Sequence, residues 1–174
     1  MRLPVVVMTI VCCAIPGLGQ DVLTSQVKEG VNVSITANQS YELMAGEKKR
    51  AVLSVQCAQN QKATKSMHLV MFTAGDPVAE GDPTTRPKNG AVVFDTDLGG
   101  SKERTTWIPY GDAITYAYYG KTEPERVKFL QLLLAAPTFS IEFTPFLTGK
   151  TAKADFDIVK LRTEVNRHPE CLVK

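Results

Sequence analysis

The chain is 174 residues long, 44% hydrophobic and 22% charged, with 20 basic and 18 acidic side chains. It is too apolar and too evenly charged for intrinsic disorder, and a net charge of +2 leaves no basic excess for nucleic acid. No apolar run reaches the roughly 18–20 residues of a membrane-spanning helix, and four cysteines are too few for a disulfide-dense miniprotein.

Residues 1–19 read as a secretory signal peptide that is removed. Arg2 supplies the positive start, Leu3 to Ile15 form the apolar stretch, and Pro16 breaks it before the small-x-small pattern Gly17-Leu18-Gly19. Ile10-Val11 precede Cys12 where a lipoprotein needs small residues, so lipid anchoring at Cys12 or Cys13 is disfavoured. Residues 20–174 remain as a single β-rich globular domain with two cysteines, Cys57 and Cys171. In an exported chain such a pair reads as one disulfide. Its loop spans 114 positions, worth about 4–5 kcal/mol in the chain-entropy account.

Val31, Val33 and Ile35 alternate with Asn32, Ser34 and Thr36, the period of a half-buried strand. The polar turn Gly46-Glu47-Lys48-Lys49-Arg50 leads into a second strand, where Leu53, Val55 and Cys57 share the inward face. Ser66 to Thr73 is a third, nearly continuous apolar run. A proline-containing loop of about 16 residues follows from Gly75 to Gly90, longer than most connections. Ala91–Asp95 and Thr105–Ile108 are short strands around the turn Asp97-Leu98-Gly99-Gly100, and Ile114–Tyr119 is another. Thr122 and Glu125 then form a capping box with Pro124 in the first turn of a helix, which Pro137 ends. Phe139, Ile141 and Phe143 alternate with polar residues in a further strand, and the last strand lies near Ala152–Ile158. Ile158, Leu161 and Val165 fall on one face of a short closing helix. The expected fold is a mainly antiparallel β-sandwich with one central and one C-terminal helix.

Residues able to carry chemistry are sparse. His68 shares a strand face with Val70 and Phe72, which favours a hydrogen-bonded core or edge histidine. His168 precedes Pro169 near the chain end and reads as exposed. Neither histidine has a partner at metal-ligand spacing, so no metal site or cofactor is expected. No Gly-x-Ser-x-Gly elbow, Ser-x-x-Lys pair or His-Glu-x-x-His helix is present, and no catalytic residue is assigned. Asp95/Asp97 and Asp155/Asp157 place carboxylates two apart, where strand geometry sets both on one side. That spacing suits cation binding or acid/base work, although polar strand ends are the commoner outcome. Asp76, Glu80 and Asp82 lack the spacing of a calcium loop. Asn32-Val33-Ser34 and Asn38-Gln39-Ser40 match the glycosylation acceptor pattern, which matters only in a eukaryotic host.

The strongest binding signal is aromatic. Trp107, Tyr110, Tyr116, Tyr118 and Tyr119 lie within thirteen residues, with Tyr116 and Tyr118 on one strand face and Trp107 reading as core. Amphipathic rings of this kind populate binding surfaces for proteins and sugars, so the four tyrosines are the candidate binding residues.

Trp107, the helix over 127–136, Phe139-Ser140-Ile141-Glu142-Phe143, Phe156-Asp157-Ile158-Val159, Leu161 and the terminal Cys171 follow a familiar order. Across residues 50–171 it resembles the small exported β-sandwich proteins associated with bacterial type VI secretion. That family's glycine signature and N-terminal cysteine pair are absent, so the resemblance implies a fold and an envelope location and transfers no functional residue. The sequence thus predicts a secreted or periplasmic, non-enzymatic domain that recognises a protein or envelope component. An exported hydrolase using carboxylates such as Asp95 and Asp97 is the alternative.

Overall fold

The computed structural model describes residues 21–27, 30–42, 46–59, 66–78, 90–111 and 114–171. The signal-peptide reading of 1–19 and the middle of the long loop with Glu80 and Asp82 lie outside these residues.

Nine strands form one antiparallel sheet in the order β1-β2-β3-β4-β7-β6-β5-β8-β9. They are β1 (Val22–Val27), β2 (Gly30–Glu42), β3 (Lys48–Gln59), β4 (Ser66–Thr73), β5 (Val92–Leu98), β6 (Ser101–Pro109), β7 (Thr115–Tyr118), β8 (Thr138–Phe143) and β9 (Ala152–Asp157). Two helices complete it, α1 (Glu123–Ala135) and α2 (Ile158–Val165). Among the described residues the expected second sheet is not seen, because β4 pairs with β7 and β5 with β8, so that all nine strands join one hydrogen-bonded series. The sheet is not closed into a barrel. Its last strand meets β2 through side chains instead: the Gln39 amide donates to the Asp155 carboxylate, and the Asp155 N–H donates to Gln39 Oε1 at 3.1 Å.

Local chemistry explains several joints. Leu98 and Ser101 close a two-residue hairpin on Gly99 and Gly100, whose φ values of 61° and 96° are those of a type I′ turn. The Asp97 carboxylate accepts from the Gly100 N–H at 2.7 Å. At Gly30 a side chain is impossible without movement, since a Cβ would stand 1.9 Å from the Cys57 carbonyl oxygen. The capping box of α1 forms as predicted: Thr122 Oγ1 accepts from the Glu125 N–H at 3.4 Å, and Glu125 Oε2 accepts from Thr122 N–H at 3.4 Å.

The inner face of the sheet is the core. Val31, Val33 and Ile35 of β2 and Leu53, Val55 and Cys57 of β3 are fully buried there, as the alternation predicts. An aromatic layer spans Phe72, Phe94, Trp107, Phe129, Phe139 and Phe156, mostly in edge-to-face pairs. The Trp107 Nε1–H donates to Thr105 Oγ1 at 2.8 Å, which satisfies the single polar atom of that ring. From α1 come Phe129, Leu130 and Leu133; from α2 come Ile158, Leu161 and Val165. The Cys57–Cys171 disulfide is formed across a Cα–Cα distance of 5.1 Å, tying β3 to a 3-10 turn at Pro169–Cys171.

Candidate functional site: the outer face of the sheet

The four tyrosines do not form one surface. Strand alternation divides them: Tyr116 and Tyr118 point inward, whereas Tyr110 and Tyr119 remain exposed. Tyr116 is 4% exposed, and its hydroxyl oxygen accepts from the Val78 N–H at 3.2 Å. Tyr118 is half-buried and stacks on Phe129 with ring centroids 3.8 Å apart. Burial, reinforced by the Glu103 and Glu125 carboxylates, raises its pKa.

The exposed pair belongs to a different constellation, on the outer face. There β4 presents Met67, Leu69 and Met71, β7 presents Ala117, and β6 presents Ile108. Met71 pairs with Ala117, and Ala117 with Ile108, giving an apolar row across three strands in which Met71 and Ala117 are buried and Ile108 is half-buried. Tyr119 continues the β7–β6 ladder, its N–H donating to the Thr106 carbonyl at 2.8 Å, and the Tyr110 N–H donates to the Thr115 carbonyl at 2.9 Å at the opposite end. Met67, Tyr110 and Tyr119 are 42%, 41% and 37% exposed. The sequence carried a signal for this strip, since Ser66–Thr73 is apolar on both faces while β2 and β8 alternate. Read as a core strand alone, that run leaves Met67 and Leu69 unexplained.

Beside the strip the outer face becomes charged. The ladders align Arg104, Asp95, Glu142 and Lys153 in one row across β6, β5, β8 and β9, and Lys102, Asp97, Ser140 and Asp155 in the next. All of these but Asp155 line an open groove of about 360 Å³. In the first row cations stand on the outer strands and carboxylates in the middle, an order that offsets the repulsion of Asp95 directly opposite Glu142. Arg104 Nε lies 3.5 Å from Asp95 Oδ1, a pair so exposed that it adds little stability. Asp155 is the anchored member. Partial burial raises its pKa, but hydrogen bonds from Ser140, Lys153 and Gln39 outweigh that, and the net direction is downward. Asp95 and Asp97 do share one side as expected, whereas Asp157 serves as the cap of α2, its Oδ1 accepting from the Val159 N–H at 3.1 Å. Asp76 is buried and bonded to the Leu147 N–H at 3.4 Å.

Among the described residues no group of three or more His, Cys, Asp or Glu side chains is arranged to hold a metal ion. His68 lies inward opposite Cys57, as its phase predicted. Burial depresses its pKa, opposed by the Glu123 carboxylate and the Glu170 backbone. His168 is half-buried rather than exposed, with Nε2 3.5 Å from Glu164 Oε1, because turns at Arg167 and His168, whose N–H groups donate to the Glu164 and Val165 carbonyls, carry the winding of α2 one step further. Asn32 sits within the continuous β1–β2–β3 ladders, whereas Asn38 is exposed at the irregularity between Thr36 and Ser40. No helix among the described residues is long and apolar enough to cross a membrane. No protein-family model, curated protein or solved structure matches the chain.

Proposed function

We propose that the chain is an exported, non-enzymatic binding domain that recognises a protein component of the cell envelope through the outer face of its sheet. The observation that carries this reading is the strip of exposed Met67, Tyr119 and Tyr110 with half-buried Leu69, bordering a groove of paired charges. An apolar centre flanked by a polar, charged margin is the anatomy of a protein recognition surface, and methionines adapt well to a partner's shape. The Cys57–Cys171 disulfide favours an oxidising compartment, in keeping with the leader-like first nineteen residues and the resemblance to exported secretion-associated proteins.

Affinity capture from envelope extract tests the proposal. A partner retained by the parent chain is lost with Leu69→Glu/Tyr119→Glu and weakened in a salt-dependent way by Arg104→Glu. If both variants retain the partner as well as the parent does, recognition lies elsewhere.

A hydrolase is the competing reading, favoured by the placement of Asp95, Asp97 and Glu142 in one groove. Turnover of glycan or peptide substrates abolished by Asp95→Asn would establish it over the binding role.

A further inference from the structure

The two ends of the sheet are built differently. β9, Ala152–Asp157, carries Lys153, Asp155 and Asp157, and its Asp155 is engaged by Gln39 of β2. Charges and a covering contact are the usual means of blunting a sheet edge. At the other end, β1 reads Val22-Leu23-Thr24-Ser25-Gln26-Val27, with no charge, no proline and no bulge in its ladder with β2. Four of its six residues are exposed, and Leu23 is 60% exposed. Only β2 pairs with it among the described residues.

The free hydrogen-bonding groups of this edge can be assigned. The Asp21 carbonyl accepts from the Thr36 N–H at 3.2 Å, so Asp21 faces β2. Antiparallel ladders alternate, so Leu23, Ser25 and Val27 face β2 too, and Val22, Thr24 and Gln26 direct their N–H and C=O groups to the open side.

We propose that this edge binds the β1 edge of a second copy of the chain, antiparallel and centred on Ser25. The register follows from symmetry. A two-fold axis perpendicular to the sheet keeps the outer face continuous, so opposed residues must lie on the same face. Centring on Ser25 sets Thr24 opposite the second copy's Gln26 with both pairs of backbone bonds made. The same register brings Leu23 opposite Val27, apolar on apolar, on both sides of a Ser25–Ser25 pair. No like charges meet within the six residues of β1, whereas on β9 a pairing centred on Asp155 would set two carboxylates opposite each other.

Ser25 then forms a non-hydrogen-bonded pair, whose Cα separation of about 4.5 Å lies within disulfide reach. Light scattering on the purified exported chain is expected to give twice the mass of one chain. Ser25→Cys is expected to yield a covalent dimer through residue 25, identified by peptide mass, while Thr24→Cys, which faces Gln26 instead of itself, cross-links far more slowly. Ser25→Lys sets two like charges on the axis and is expected to give single-chain mass with a cooperative unfolding transition whose midpoint no longer depends on protein concentration. A parent chain that stays monomeric at high micromolar concentration overturns the proposal. So does a dimer that survives Ser25→Lys, or one in which Ser25→Cys does not cross-link.

Discussion

On their inner side the strands of the apolar strip and those of the charged groove are alike: Phe72, Phe94, Trp107, Phe139 and Phe156 make one aromatic layer beneath both. On the outer side they diverge. Over β4, β7 and the end of β6 the outward positions include exposed Met67, half-buried Leu69 and Ile108, and exposed Tyr119 just beyond β7; from Arg104 of β6 across β5, β8 and β9 they include Asp95, Asp97, Glu142 and Lys153, with Val93 an exposed apolar neighbour. A sheet needs only one apolar face to fold. The charged region therefore shows what folding alone requires of the outer face, and the apolar region carries something folding does not ask for.

That contrast can be broken first from inside. Truncating Phe72 or Phe94 to Ala removes a fully buried ring beneath either region and is expected to cost about 3–5 kcal/mol in denaturant unfolding. Unequal losses, with one below about 1 kcal/mol, would show that the shared core is not shared energetically. Opening the Cys57–Cys171 crosslink with a double Ala substitution is expected to cost about 2–5 kcal/mol, because it releases a loop of 114 positions in the unfolded chain.

Outer-face changes are expected to be smaller and to separate the regions. Leu69→Ser and Tyr119→Ser should change stability by no more than about 0.5–1 kcal/mol while eliminating partner retention, and Asp95→Asn should be near neutral. A large stability loss at Tyr119 would mean that the strip is structural.

The smallest expected effect is a pH dependence at His68, under the β4 strand that carries the strip. Its folded pKa lies below the ordinary value of 6.5, so as pH falls below that value the unfolded chain takes up the proton first. Stability is then complete above pH 6.5 and declines through the window beneath it. His68→Phe is expected to flatten that decline, measured as thermal midpoint against pH; an identical slope in parent and variant would remove His68 as its origin.

Much of the architecture was legible in local pattern. Alternation in Val31–Ile35 and Phe139–Phe143, the Thr122–Glu125 capping box and the inward phase of Cys57 each follow from a single stretch of chain. β1 was not legible, because Leu23-Thr24-Ser25-Gln26 presents no apolar face and is held by its ladder with β2. Nor was the single sheet, since the β4–β7 and β5–β8 pairings join segments far apart in sequence. The tyrosines show the limit most plainly. Their alternation was readable, but not which set faced inward, because Ala117 and Tyr119 are also apolar and either phase gave an acceptable core face. Only the pairing of Tyr116 with Phe72 settles it.

Site-specific photo-crosslinking in envelope extract tests the central claim most directly. A photoreactive side chain at Tyr119 is expected to capture the same partner as one at Met67, while one at Asn38, exposed on β2 outside the apolar strip, captures none. Equal capture from Asn38, or none from Tyr119 and Met67, would contradict recognition through the outer face.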